Sequence, residues 1–229
     1  MQRRTHDRAF PGAERFLPDH PTMDSLRAAV TTCHGCPLYR AATQAVFGEG
    51  SSYARVVLVG EVPGDIEDRM GHPFVGPAGR LLDEALDAAA IARGDVYVTN
   101  AVKHFKFTRR GKRRIHEKPT RYEVRACRPW LDAELGLVHP EILVALGATA
   151  AQALFGPHFR VTQMRGVEFE SPFARHTFAT MHPSAVLRAP DHDLRVRARE
   201  ELFADIALVG ERLRAIEGVR EHAGTKAAP

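Results

Sequence analysis

Cysteines are few in this sequence, and long apolar runs are missing. Three cysteines among 229 residues are an odd number, which argues against a disulfide framework and favours metal ligation or free thiols. No apolar run is long enough to cross a bilayer, and the charged N-terminus lacks the apolar stretch of a secretory signal. We therefore expect a cytoplasmic protein that does not enter the membrane.

The length and the composition predict one globular domain. With 44% hydrophobic and 26% charged residues, the chain is not disordered as a whole, and its length does not require a second domain. Residues 1–21 and 219–229 are polar, Pro-containing or Ala/Gly-rich, which is typical of mobile tails. We predict a single domain over residues 22–218 and a monomeric protein.

Short β-branched runs alternate with helical patterns along the chain. Buried strands are predicted at residues 55–60, 96–99, 141–146 and 176–180. Helices are predicted from Pro77, from a capping box at Thr120, after Thr149, and over about 193–216. Such alternation indicates parallel strands with helices on both faces. The predicted fold class is therefore α/β, a three-layer α/β/α sandwich around a central four-stranded parallel sheet.

Polar residues follow three of the predicted strands. Glu61 ends the first strand, Asn100 the second and His182 the fourth. Ligands of parallel sheets bind beyond the carboxyl ends of the strands. Each of the three alone is an ordinary loop residue, but together they predict one ligand site at one edge of the sheet.

A basic loop follows the second strand. Six of the eleven residues from 106 to 116 are Lys or Arg, and the loop ends at His116. Unpaired cations are costly to bury, so the loop is expected to face solvent or a polyanion such as a phosphate backbone. Phe105 and Phe107 would pack the loop down or stack on a base. The net charge of +4 and the pI of about 9.2 point the same way.

Two more loops carry residues suited to a ligand. In the loop 60–65, glycines flank an acid and let backbone amides approach a ligand, although a tight structural turn is the alternative. Phe74 lies in a Gly/Pro-rich turn and is either a core residue or a stacking platform. His182, Ser184 and Arg188 supply groups for a developing anion and for phosphates, or else form a capped helix start with a surface Arg.

The cysteines have a spacing suited to a metal site. Cys33 and Cys36 form a C-x2-C pair followed by Pro, and two ligands from one tight turn suit a sulfur-rich tetrahedral site with Cys127. His104 is predicted to be the fourth ligand, and His34 is the competitor, although its adjacency to Cys33 strains the geometry. Spacing alone does not separate zinc from an iron–sulfur cluster, and inert free thiols are the further alternative.

Taken together, these motifs resemble the uracil-DNA glycosylase superfamily, and in particular its family-4-like, iron–sulfur-containing crosslinking branch known as UdgX. The resemblance covers about residues 33–188. It rests on the segments 60–65, 73–79, 98–104, 112–116 and 182–184. The sequence Lys-Arg-Arg-Ile-His at 112–116 marks the crosslinking branch. His104, in place of the Cys of ordinary family-4 enzymes, matches that branch, whereas Val62 stands where the branch usually has Gln and loses a side-chain hydrogen bond to the base.

The resemblance implies a role for each matching residue. The groups for uracil would be Asn100 on its polar edge, Phe74 on its face, and the backbone at Gly60 and Val62. The catalytic residues would be His116 as nucleophile, Glu61 orienting it, His182 stabilising negative charge on uracil O2, and Asp65. The DNA backbone would contact Lys112, Arg113, Arg114, Ser184 and Arg188. A [4Fe–4S] cluster would be held by Cys33, Cys36, His104 and Cys127.

The predicted function follows from these roles. The protein would excise uracil from DNA, preferably single-stranded, release free uracil, and be captured as a covalent adduct between His116 and C1′ of the abasic sugar. One alternative is a family-4 glycosylase that turns over by water attack. The other is a non-catalytic iron–sulfur module that binds DNA.

Overall fold

The computed structural model describes residues 10–225, and of residues 220–225 it describes the backbone only. The helices in this range are α1 (Met23–Val30), α2 (Asp65–Met70), α3 (Pro77–Ala88), α4 (Arg121–Val138), α5 (Ala148–Phe155), α6 (Val161–Met164), α7 (Pro183–Leu187) and α8 (His192–Thr225). The strands are β1 (Val56–Gly60), β2 (Val96–Asn100), β3 (Phe107–Arg110), β4 (Arg113–His116), β5 (Ile142–Leu146), β6 (Phe169–Ser171) and β7 (Ala174–Thr180). Short 3-10 turns occur at Ala13–Phe16, Pro37–Arg40 and Arg93–Asp95.

The central sheet has the strand order β2-β1-β5-β7-β6. Its first four strands are parallel and correspond to the four predicted strands, so the predicted fold class is confirmed. The sheet also contains β6, which pairs antiparallel with β7 at the edge. This three-residue strand is only half-buried, so it lacks the continuous apolar run that indicates the central strands.

The two faces of the sheet pack against different helices. Val56, Leu58 and their counterparts on the other parallel strands face α3, α7 and α8. The alternate residues, including Val57 and Val59, face α4 and α5. Side chains of a strand alternate between faces, and both faces here are apolar, which is the pattern of a sheet buried between two helical layers. All four parallel strands therefore end at the same edge of a rigid sandwich.

Regular structure continues beyond the predicted domain boundaries at both ends. Ala13 is fully buried, and the Gly12 N–H donates to the carbonyl oxygen of Gly35 at 3.0 Å, so this part of the expected tail 1–21 packs on the domain. At the other end, α8 continues to Thr225, past the predicted boundary at 219. Residues 1–9 and 226–229 of the predicted tails lie outside the described residues. Within the described part of the chain, no helix is both long enough and apolar enough to span a bilayer.

Candidate active site

The predicted basic loop is a β-hairpin formed by β3 and β4. Its turn contains Gly111, which has a φ of 58°, a left-handed conformation that costs glycine little. Residues of β4 alternate in direction, so Arg114 and His116 share one face, whereas Arg113 and Ile115 share the other. Arg113 is exposed, whereas Arg114 pairs with Asp65, and the imidazole of His116, although 39% exposed, contacts Glu61. The hairpin therefore presents its terminal imidazole inward.

Arg114 anchors this hairpin to α2. Its guanidinium forms ion pairs with Asp65 and, at 2.6 Å, with Asp68, and it lies over the rings of Phe105 and Phe107. Its side chain is only 8% exposed and that of Asp68 is fully buried. Arg114 is therefore not free to bind DNA as predicted, because its donors are occupied by two carboxylates.

The same contact changes the interpretation of Asp65. Besides Arg114, its carboxylate pairs with Arg69 at 3.1 Å. Asp65 lines the cleft described below, but its charge is balanced by two cations. In the structure its carboxylate holds the hairpin in place, a role that sequence alone did not suggest.

His116 and Glu61 lie next to each other, as predicted. The Nε2 atom of His116 is 3.6 Å from Oε1 of Glu61, and the hydroxyl of Thr149 donates to Oε2 of the same carboxylate. Partial burial lowers the pKa of His116, and Arg188 and Lys118 lower it further, against the opposing effect of Glu61. The imidazole is therefore neutral at pH 7 and keeps a free electron pair.

Asn100 and Phe74 form two walls of a narrow slot. A Cβ atom added to Gly60 would lie 2.3 Å from Oδ1 of Asn100 and 2.7 Å from Cζ of Phe74, so only glycine permits this approach. Phe74 has a φ of 57°, and a Cβ on Gly79 would overlap its carbonyl oxygen at 1.6 Å. Among the described residues, the Asn100 side-chain amide makes no hydrogen bond. The slot thus combines an aromatic face with an unused amide, which suits a flat polar ligand.

His182 is held as a neutral hydrogen-bond donor. The Ser184 backbone N–H donates to its Nδ1 atom at 3.1 Å, and the Ser184 hydroxyl lies 2.8 Å from the same atom. Burial lowers the pKa of His182 to about 4, with further contributions from Arg188 and His116. A neutral ring that accepts at Nδ1 carries its proton on Nε2. Ser184, predicted to contact DNA, serves here to fix the tautomer of His182.

These groups meet in a cleft of about 350 Å³ at the carboxyl edge of the sheet. The residues that line it include Val62, Phe74, Asn100, His116, His182 and Arg188. A second cleft of about 570 Å³ adjoins it and adds Glu61, Lys118 and Thr149. His116 lines both clefts. The predicted convergence of Glu61, Asn100 and His182 at one edge is therefore present in the structure.

The sulfur ligands predicted for a metal lie in one buried apolar cluster. Cys33, Cys36 and Cys127 are each at most 6% exposed, and Trp130 packs among them. Two N–H groups donate to sulfur, from the Trp130 indole to Cys33 at 3.2 Å and from the Lys103 backbone to Cys127 at 3.3 Å. Burial raises the pKa of Cys36 to about 11 and that of Cys127 to about 12. Without a cation, these thiols stay protonated at neutral pH.

His104 is better placed than His34 to join this cluster. His104 is 5% exposed, follows Lys103 directly, and has a pKa that burial lowers to about 4, so its ring is neutral. His34 is exposed and contacts the ring of Tyr39 at an interplanar angle of 53°. Among the side chains of residues 10–219, no three His, Cys, Asp or Glu groups are positioned to hold a metal ion. The donor types and the hydrogen bonds to sulfur suit an iron–sulfur cluster.

A buried ion pair near the site was not predicted. The ammonium of Lys103, fully buried, pairs with Glu134 and donates to Thr99 Oγ1 at 2.7 Å and to the Asn100 carbonyl at 2.9 Å. Glu134 also accepts from Tyr97. The two charges are 31 positions apart, so no local pattern links them. Thr149 was also missed, although it follows the end of β5, the kind of position that pointed to the other three polar residues.

The fold and this edge of the sheet are those of a DNA glycosylase. The family described as "Uracil DNA glycosylase superfamily" matches residues 47–207, which include the hairpin and all three predicted strand-end residues. The chain therefore belongs to the uracil-DNA glycosylase superfamily.

Individual relatives within this superfamily cover most of the chain. A type-4 uracil-DNA glycosylase from Thermotoga maritima is 38% identical over 181 residues, which is 79% of this chain and 91% of the relative. A type-4 enzyme from Archaeoglobus fulgidus is 34% identical over 83% of this chain and 92% of its own length. A type-5 uracil-DNA glycosylase from Thermus thermophilus is 32% identical over 72% of this chain and 78% of its own length.

Proposed function

We propose that this protein excises uracil from DNA and is then captured by the abasic sugar through His116. The observation that carries the proposal is the position of His116, which lies in the cleft with Asn100, Phe74 and His182 while its ring contacts Glu61. The relatives named type-4 uracil-DNA glycosylases support the excision step. The inward-facing hairpin supports the capture step.

The slot beside Gly60 suits a uracil base. Phe74 offers a stacking face, and the unused Asn100 amide offers one donor and one acceptor to the polar edge. The side chain of Val62 is buried, so this position offers the base only its backbone. The target nucleotide must leave its stack to reach the slot, and extrusion costs least from a single strand, which is why we propose single-stranded DNA as the preferred substrate.

For the base to leave, the negative charge that forms on it must be stabilised. The bond between C1′ and N1 breaks with its electron pair on uracil, and negative charge accumulates on O2. The Nε2–H of His182 donates to that oxygen, and because the ring is neutral with a pKa of about 4, it donates without losing its proton. The sugar is left as an oxocarbenium ion.

Capture requires a neutral nucleophile beside C1′. One nitrogen of His116 gives its electron pair to C1′, the proton on the other nitrogen passes to solvent, and the departing uracil anion takes up a proton from solvent. Glu61, fixed by the Thr149 hydroxyl, orients the ring and stabilises the positive charge that forms on it. The bond to the sugar leaves the protein covalently attached, so each molecule reacts once.

We propose that Cys33, Cys36, His104 and Cys127 hold a [4Fe–4S] cluster. These residues lie on the turn after α1, on the segment that follows β2 and on α4, so a bound cluster would link the three and would stabilise the base of the hairpin. Anaerobically purified protein should be coloured, because iron–sulfur clusters absorb visible light and zinc does not. Colourless protein containing zinc would contradict this assignment.

A denaturing gel with uracil-containing single-stranded DNA tests the main proposal. A band shifted by the mass of the protein is expected, together with free uracil. The band should be absent with thymine-only DNA and with the variant His116→Ser, while that variant should still release uracil by water attack.

The two alternative functions predict different results in the same assay. Uracil release without a band would indicate a glycosylase that turns over, and neither uracil nor band would leave only DNA binding. A band that persists in His116→Ser would mean that another residue is the nucleophile.

A further inference from the structure

A basic groove lies beside the site, between α4 and α5. It has a volume of about 290 Å³, and its lining includes Arg121, Arg125 and Arg128 but no acidic residue. The three arginines are spaced by four and three residues, which places them on one face of α4. The groove therefore concentrates positive charge.

The three arginines differ in their contacts within the described structure. Arg128 pairs with Asp132 at 2.6 Å, donates to the Ala153 carbonyl and lies over Phe173, so it ties α4 to neighbouring segments. Arg121 and Arg125 are exposed, and among the side chains described, those of residues 10–219, neither forms an ion pair or a hydrogen bond. Their donors are open to a ligand from solution.

The groove adjoins the second cleft, which His116 lines. Thr149 lines both the groove and the second cleft, and it donates to Glu61. Lys118 and Arg188 line that cleft, and Pro119, next to Lys118, lines the groove. Cations therefore line both the second cleft and the groove that adjoins it on α4.

We propose that this groove carries the phosphate backbone of the DNA strand that flanks the captured nucleotide. Arginine suits phosphate oxygens through paired N–H donors, and the groove offers no carboxylate to repel them. The inference rests on the proposed function, because it assumes that a uracil nucleotide occupies the first cleft. It adds a second surface to the hairpin, so that the strand is held on both sides of His116.

The test is the salt dependence of uracil release at subsaturating DNA concentration. The variant carries Arg121→Gln and Arg125→Gln, and the control carries Arg93→Gln and Arg175→Gln, two exposed arginines near the amino ends of strands. Each lost phosphate contact reduces the slope of log rate against log salt by about 0.7 for a single strand, so the variant should lose about 1.4. Between about 50 and 200 mM salt, the wild type should then slow about sevenfold more than the variant.

The substrates separate this inference from the proposed function. One is a uracil-centred trinucleotide, and the other is a strand longer than the roughly 16 nucleotides that a single-strand-binding fold covers. The variant should show the reduced slope only on the long strand. The double substitution Arg121→Lys and Arg125→Lys keeps both charges and should therefore show the wild-type slope. An unchanged slope, an equal change on the trinucleotide, or an equal change in the control would overturn the inference alone. If the wild type releases uracil from neither substrate, the proposed function fails and this inference with it.

Discussion

Replacing Arg114 with Gln should separate capture from excision. The substitution removes the cation that faces Asp68, a carboxylate with no solvent exposure, and leaves Asp65 with Arg69 as its remaining partner. Removing one partner of a buried ion pair typically costs about 3–5 kcal/mol. Asp68 keeps hydrogen bonds from the backbone N–H and the hydroxyl of Thr43, so we expect the lower end, about 3 kcal/mol of unfolding free energy.

The effect on chemistry should be larger for His116 than for the base. Arg114 holds β4 against α2, and without it the imidazole loses its fixed distance to C1′. A displacement of about 1 Å costs on the order of 100-fold in rate. Asn100 and His182 belong to other elements of the sandwich, so excision should change little. The capture rate should therefore fall far more than the rate of uracil release.

Single-turnover assays measure both rates in one reaction, by free uracil and by the shifted band, and urea denaturation measures stability. Arg113→Gln is the matched control, since its side chain lies on the exposed face of β4 and should change stability by less than about 0.5 kcal/mol. Asp68→Asn combined with Arg114→Gln should destabilise less than the sum of the two changes. Equal losses of capture and excision, or no loss of capture, would refute the proposed role of Arg114.

Three other perturbations follow from the geometry of the site. Because capture needs neutral His116 and its pKa is lowered from the usual value of about 6.5, the capture rate should be constant above that pH and fall below the lowered pKa. Glu61→Gln removes a carboxylate that raises this pKa, so in a pH–rate profile the capture rate should begin to fall at a lower pH than in the wild type. A shift to higher pH would contradict the proposed contact between Glu61 and His116. Gly60→Ala forces a Cβ into the slot at a cost of about 1–3 kcal/mol, so uracil release should slow about 5- to 150-fold. Binding of thymine-only DNA, measured by fluorescence anisotropy, should be unchanged. An unchanged rate of uracil release would show that uracil binds elsewhere. Lys103→Met leaves Glu134 buried without its cation and should cost about 3 kcal/mol in urea unfolding, part of which Glu134→Gln should restore; no loss would mean that the pair is not coupled.

The sheet was predictable because its strands carry their own signal. Central parallel strands are buried on both faces, so β1 and β5 read as unbroken apolar runs. The rule that ligands bind at the carboxyl ends of such strands then brought Glu61, Asn100 and His182 together before any contact was known. The convergence of these three residues therefore follows from the alternation of strands and helices, which the local sequence patterns indicate.

The long-range ion pairs were not predictable in this way. Arg114 forms ion pairs with Asp65 and Asp68, which are 49 and 46 positions away in the sequence, and no local sequence pattern indicates these pairs. The hairpin was missed for a related reason, since charged residues occupy both of its strands and no apolar alternation appears. Side chains of a strand alternate between two faces, and only this alternation in β4 would have shown that Arg114 lies on the same face as His116.

The charge of the hairpin is therefore divided between two tasks. Lys106 pairs with Glu123 at 2.9 Å, and Arg114 pairs with Asp65 and Asp68, so two of the six cations hold the hairpin to the domain. The four that form no ion pair within the described residues are Arg109, Arg110, Lys112 and Arg113. A count of basic residues thus overstates how many phosphates this hairpin could contact. The proposed groove on α4 would therefore matter as a second cationic surface, because a flexible strand held on one side only would not keep C1′ beside His116.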